Sequence, residues 1–216
     1  MSVNANLDDR VAAHGPLKRF ASVRNGYAFR ESVMDDPEGD TRVLQLRDVD
    51  QQGYIDIEEL PMIAFGKRAQ RHVLHPGDVL IAGRGGKSTA FSVPLNVPMI
   101  PAAGLLVINP DNALDSAYLR WFLNHPNTQR RLHALREGSN LQFIDKAGLE
   151  SLHIFVPDIP VQQYIAELDA DLRRRIELRI RLNEVEAQLL DGATWQIAKI
   201  ENLQNEVNST QKILIP

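Results

Sequence analysis

Cysteine is absent from the sequence. That excludes disulfides, Cys-ligated zinc, iron–sulfur clusters and thiol catalysis. Long apolar runs are missing too: no window approaches about 18 consecutive apolar residues, so no membrane-spanning helix is expected. The first residues include acids and no apolar segment, so no signal peptide is visible and a cytoplasmic location is the expectation. Aromatics supply only 6% of the chain, but 44% of it is hydrophobic and 24% charged, which excludes a wholly disordered or collagen-like protein. At about 150 residues per domain, 216 residues make one to two domains, enough to bury a core without cross-links.

The formal net charge of −4 argues at first against nucleic acid, but the charges are unevenly distributed. Residues 31–40 hold Glu31, Asp35, Asp36, Glu38 and Asp40 and no base. Residues 60–100 hold Lys67, Arg68, Arg71, Arg84 and Lys87 against the single acid Asp78. Residues 118–136 hold Arg120, Arg130, Arg131 and Arg136, with His125 and His133 among them, and no acid. Two basic islands in an acidic chain would suit a nucleic acid if they line one face; the alternative reading is ordinary solvated surface charge.

The chain changes texture near residue 157. Before it, short β-rich runs recur at Thr41–Leu46, Asp78–Ala82, Leu105–Ile108 and Leu152–Val156, separated by turn residues such as Pro76-Gly77. A helical period covers Ser116–Arg136, broken into two pieces by Pro126. Strands with inserted helices, and no regular βαβ alternation, predict an α+β domain over residues 1–157. After Pro157, Ile165, Leu168, Leu172 and Ile176 recur at helical spacing, followed by Leu178, Leu182, Val185 and Leu189. Neither Gly nor Pro interrupts Val161–Asp191, a helix of roughly 47 Å. Gly192 is its expected stop, with a second amphipathic piece beyond. The apolar face is broader than a strict two-stranded stripe, so residues 158–216 are expected to form a helical region that packs in a bundle or coiled coil.

Several catalytic and ligand motifs are approached and not met. Asp48–Glu59 nearly matches a calcium-binding EF-hand loop, with Asp48, Asp50, Gln52, Gly53, Asp56 and Glu59 in the ligand or turn positions. A calcium-responsive interaction module is therefore the alternative function. Against it, residues 42–47 alternate like a strand and Pro61 falls where the outgoing helix should be established. Gly83-Arg-Gly-Gly-Lys-Ser-Thr89 resembles the end of a phosphate-binding loop, but Ile81 stands where that loop needs its first glycine. A flexible, basic, Gly-rich loop remains, able to approach a phosphate backbone closely. None of the six lysines has an acid two residues before it, no Gly-x-Ser-x-Gly elbow is present, and the six histidines lack metal-ligand spacing. No catalysis and no metal is expected in this chain.

Leu17-Lys-Arg-Phe-Ala-Ser-Val-Arg-Asn-Gly-Tyr-Ala-Phe29 resembles the opening of a target recognition domain from the specificity subunit of type I restriction–modification systems. Val43–Asp50 with Gly53 is similar to the family's next strand and turn, and His75-Pro-Gly-Asp-Val-Leu-Ile81 to its Pro-Gly-Asp-Val-Leu-Ile block. Tyr118-Leu-Arg-Trp-Phe-Leu123 resembles its helix; Leu149–Gln163, with Ile154, Pro157 and Gln163, resembles the junction into its spacer helix. The motifs follow the family's order over about residues 15–190.

The resemblance implies a DNA-reading domain followed by a long helical spacer, without catalysis of its own. It implies double-stranded DNA, an adenine-methyltransferase subunit and a restriction/translocase subunit as partners, with S-adenosylmethionine, ATP and magnesium serving those partners and no cofactor in this chain. Family subunits carry two such domains and two spacers, whereas this chain has one of each. The implied remedy is a homodimer with antiparallel long helices, joined through Ile165, Leu168, Leu172, Ile176, Leu178, Leu182, Val185 and Leu189; the alternative is that the chain is a fragment of a longer subunit. For DNA contact the candidates are Lys67, Arg68, Arg71, Arg84 and Lys87, with Gly83, Gly85 and Gly86 allowing close approach, and then Arg24, Tyr27 and Arg30.

Overall fold

The computed structural model describes residues 13–49, 53, 55–66, 71–83, 89–93, 98–135 and 143–213, with side chains described as far as residue 200. The architecture is α+β, as the alternation of short strands and inserted helices implies: a β-rich unit leads into one long C-terminal helix.

Among the described residues, the first unit has three small sheets. Strands β2 (Ala21–Asn25), β5 (Val79–Ala82), β6 (Ala90–Phe91) and β8 (Leu105–Pro110) form an antiparallel sheet in the order β2-β8-β5-β6. A mixed sheet has the order β4-β3-β7, from β3 (Thr41–Leu44), β4 (Met62–Ile63) and β7 (Met99–Pro101). The chain ends of this unit pair with each other: β1 (Ala13–Pro16) runs antiparallel to β9 (His153–Val156).

Every residue of β5 is buried because that strand is covered on both faces. Successive side chains point to opposite sides of a strand, so Val79 and Ile81 enter one core while Leu80 enters another. The first core continues through Val23, Leu106 and Ile108 to the helices α1 (Ser116–Asn124), α2 (Pro126–Ala134) and α3 (Lys146–Ser151). The second packs Leu80, Leu105 and Val107 against Leu44 and Met99 of the mixed sheet. Asp115 caps α1, its carboxylate accepting from the Tyr118 amide at 2.8 Å. The Tyr118 hydroxyl donates to the Phe155 carbonyl at 2.8 Å, tying the helix to β9, and burial pushes its pKa up to about 12. Pro126 separates α1 from α2, as its missing N–H and fixed φ require.

Helix α4 runs unbroken over Ile159–Ile213, 55 residues, a length of about 80 Å. The expected stop at Gly192 does not occur. Gly192 is absent from the glycines with positive φ, and a Cβ there would meet nothing within 4 Å. A glycine inside a helix costs only about 1 kcal/mol relative to alanine, which the flanking Leu189, Leu190 and Ala193 tolerate. The chain divides into two compact units between Glu167 and Leu168, inside α4, because the helix's first turns belong to the first unit. Gln162 is fully buried there: its amide nitrogen donates to the carbonyls of Ala113 (2.8 Å) and Pro157 (2.6 Å), and its oxygen accepts from the Asp115 amide (2.8 Å). The junction glutamine is thus Gln162, while Gln163 is exposed. Ile165, expected on the pairing face, instead packs half-buried against the first core. Among the described residues no helix is long and apolar enough to cross a membrane.

Candidate nucleic-acid interface

The Pro76-Gly77-Asp78 turn organises the loop that carries the described part of the first basic island. The Asp78 amide donates to the His75 carbonyl at 3.0 Å, and Gly77 sits at φ 89°, a conformation that favours glycine over any residue with a Cβ. The Asp78 carboxylate is buried and accepts from three sides: the His75 amide (2.9 Å), the Asn109 side-chain amide (2.9 Å) and Nη2 of Arg24 (3.4 Å). Arg24 also donates to the carbonyls of His72 (3.2 Å) and Val73 (3.1 Å). Its guanidinium therefore clamps residues 72–78 to β2, a structural task that competes with the DNA contact expected of it.

Tyr27 follows β2 and forms the hub of an aromatic cluster. Its ring meets Phe29 at 4.8 Å, Phe65 at 5.1 Å and His72 at 4.8 Å between centroids, each edge-on. Such geometry places the positive edge of one ring on the negative face of the next. The backbone of Tyr27 is held between its amide bond to the Pro101 carbonyl (2.7 Å) and the Ala103 amide bond to its own carbonyl (2.8 Å). All four rings are half-buried, so the patch keeps an outward face. Arg71 is exposed at its margin, donating from Nε to Nε2 of His72 at 3.1 Å; Arg30, the residue after Phe29, is exposed as well.

The structure thus brings Arg24, Tyr27 and Arg71 together around His72. Phe29, Phe65 and His72 were not among the expected contacts; the alternation Tyr27-x-Phe29 was the available signal. Gly83 is buried, and its closeness is to its own fold: its amide donates to Gly104 at 2.9 Å and its carbonyl accepts from Ile144 at 2.8 Å. A Cβ would come within 3.2 Å of the Gly104 carbonyl oxygen. Close backbone packing, rather than approach to a ligand, accounts for this glycine. Lys67, Arg68, Arg84, Gly85, Gly86 and Lys87 lie outside the described residues. In the second island, Arg131 is exposed, Arg130 pairs with Asn127, and Arg120 donates to Ser92 Oγ at 3.4 Å.

His72 is held below its ordinary pKa by burial first, then by the charges of Arg71 and Arg24. A neutral ring is also what the Arg71 bond requires, since Nε2 must offer a lone pair. The folded protein then binds fewer protons at this site than the unfolded chain, so the contribution is present above the unfolded pKa of about 6.5 and is lost as pH falls. An NMR titration of the imidazole is expected to give a midpoint below about 6.5; a midpoint above that value would contradict this arrangement.

The calcium alternative loses its helices. Thr41–Leu44 is a strand followed by a short 3-10 turn at Leu46–Asp48, and Met62–Ile63 is a strand paired with β3. Asp48 is occupied locally, accepting from the Gln45 amide at 2.8 Å. Asp50 and Gln52 lie outside the described residues, and among those described no group of three or more acids or histidines is placed to hold a metal.

No family model matches the chain, and no curated protein does. Solved structures do. The HsdS subunit from Thermoanaerobacter tengcongensis matches with a TM-score of 0.58 and 17% identity, over 82% of this chain and 40% of that one. A chain of the type I R-M system, solved to explain its complex assembly and conformational transition, gives a TM-score of 0.57 and 19% identity over 88% and 45%. The S subunit of the type I restriction-modification system from M. genitalium gives 0.53 and 17% over 82% and 42%. This chain therefore has an α+β fold with a long C-terminal helix, and that fold is the one seen in type I restriction–modification specificity subunits. It spans less than half the length of each of these chains.

Proposed function

We propose that this chain is a sequence-specific DNA-binding specificity subunit of a type I restriction–modification system. It holds an adenine-methyltransferase subunit and a restriction/translocase subunit on their target and performs no chemistry itself. The observation that carries this reading is a fold match over 82–88% of the chain, reaching beyond the β-rich unit into the helix. In this reading residues 1–157 are the target recognition domain and residues 158–216 the spacer and dimerisation region. In this reading two copies supply the two half-sites that a bipartite target needs, protein symmetry mirroring site symmetry.

Cationic side chains neutralise phosphates and set the register on DNA, while a few groups read base edges. Arg71, bonded to His72 of the aromatic patch, is a candidate together with Arg30, Lys67, Arg68, Arg84 and Lys87. Tight holding matters because the target adenine must leave the duplex to be methylated.

The test uses a randomised duplex DNA pool and fluorescence anisotropy between about 50 and 200 mM salt. Replacing Arg84 and Lys87 together by alanine is expected to weaken binding and flatten the slope of log K against log salt by about 1.8, at about 0.9 per phosphate contact. Parent protein that shows no salt-dependent binding would overturn the DNA-binding reading, and an unchanged slope would remove that loop from it.

A further inference from the structure

His72 is held by two guanidinium groups. Nε of Arg71 donates to its ring Nε2 at 3.1 Å, and Nη1 of Arg24 donates to its backbone carbonyl at 3.2 Å. The ring is half-buried and meets Tyr27 at 4.8 Å between centroids. The Arg71 bond needs a lone pair on Nε2, so the imidazole is neutral and carries its proton on Nδ1. Burial and the two cations all disfavour the imidazolium, and the group titrates below its ordinary range. Arg71 is exposed, and among the described residues no acid pairs with it; its bond is to a neutral ring.

The groups packed around this ring leave it without a counter-charge. Arg24 reaches it from β2, Tyr27 beyond β2 offers an aromatic ring, and Phe65, which meets Tyr27 at 5.1 Å, is apolar. Two carboxylates stand behind these partners. Asp78 is taken up by Arg24, the His75 amide and the Asn109 side chain. Asp40 accepts from the Thr41 hydroxyl at 2.8 Å and the Phe65 amide at 3.4 Å. Among the described residues neither acid bonds the imidazole. Lys67 and Arg68 precede the segment in sequence and bring positive charge only; His75 follows it and lends Asp78 its backbone amide. An imidazolium here would meet cations and no acid. An anion with several acceptor oxygens supplies what both Arg71 and a protonated His72 lack, through charge-assisted hydrogen bonds. A backbone phosphate of DNA is such a group.

We propose that Arg71 and His72 together receive one phosphate of the DNA backbone, and that His72 takes up a proton from solvent as the complex forms. In the free protein Nε2 accepts from Arg71. In the complex Nε2 gains the proton and donates to a phosphate oxygen, while Arg71 turns its Nε–H from the ring to the same phosphate. One proton is taken up per site, and only hydrogen bonds are exchanged. The phosphate charge offsets the repulsion between the imidazolium and the two arginines, so the protonated ring is favoured more in the complex than in the free protein. By linkage, affinity rises as pH falls through the window between the two titration midpoints, and is flat above and below it. The proposal rests on the DNA-binding reading, and adds to it a contact residue and a pH dependence.

Anisotropy with the randomised duplex pool at fixed salt tests this on the parent and on His72→Gln, which keeps an acceptor near the Nε2 position and cannot be protonated. Parent binding is expected to tighten about fivefold from about pH 8 to about pH 6, the range in which histidine is the side chain that titrates. His72→Gln is expected to lose most of that gain. Equal gains in the two proteins, or no gain in a parent that binds, overturn the proton uptake and leave the DNA-binding reading in place. A parent without salt-dependent binding overturns both. A second measurement needs no variant: the midpoint of the His72 imidazole, followed by NMR in the parent, is expected to move up when saturating duplex is added. A midpoint that stays or falls overturns the proposal.

Discussion

Replacing Asp78 by alanine is expected to destabilise the β-rich unit by about 3 kcal/mol. The carboxylate is 5% exposed and is the shared acceptor for the His75 amide, the Asn109 side chain and Arg24. Its removal takes a charged acceptor from all three donors; His75 and Asn109 are exposed residues and Arg24 keeps its two carbonyl partners, so the loss is that of hydrogen bonds to a charged group, which exceed the typical neutral one. The Arg24 contact adds least: at 3.4 Å, with the arginine side chain 32% exposed, solvent screens much of it. Asp78→Asn keeps an oxygen acceptor but turns an NH2 toward a donor-rich site, so an intermediate loss of about 1–2 kcal/mol is expected. Urea unfolding followed by circular dichroism measures both. A loss under about 1 kcal/mol for the alanine variant would mean that the turn is held by Pro76 and Gly77 alone.

This arrangement also shows what the sequence could and could not disclose. The Pro-Gly-Asp block is legible as a turn before a strand, because Pro and Gly fix local φ and the apolar run follows directly. That Asp78 is the buried acceptor for a side chain 54 residues away is not local information. The same holds for β1: Ala13–Pro16 has little alternation of its own and owes its extended state to its partner β9 far along the chain. The strand expected to run to Leu46 ends at Leu44, because the Gln45 and Asp48 capping box closes a 3-10 turn instead. The six-residue α3, with Gly148 inside it, is too short to show a period. The α1–α2 break at Pro126 and the apolar face of α4 were legible, since both depend on residues within a turn or two of each other. For the candidate interface, counting charges found the basic islands but not their use: Arg24 is drawn inward by Asp78, whereas the aromatic cluster around Tyr27 joins it to His72, far along the chain.

Changing both Leu182 and Leu189 to glutamate is expected to leave the chain monomeric in sedimentation equilibrium. The two side chains are 55% and 68% exposed in the single chain, so pairing can remove that surface from water. Burying a leucine contributes about 1.5–3 kcal/mol, and four leucines are lost per dimer, which exceeds the roughly 4 kcal/mol separating micromolar from millimolar association. Helicity should survive, because leucine and glutamate are both good helix formers. A double variant that still sediments as the parent does would mean that this face of α4 is not where two copies meet.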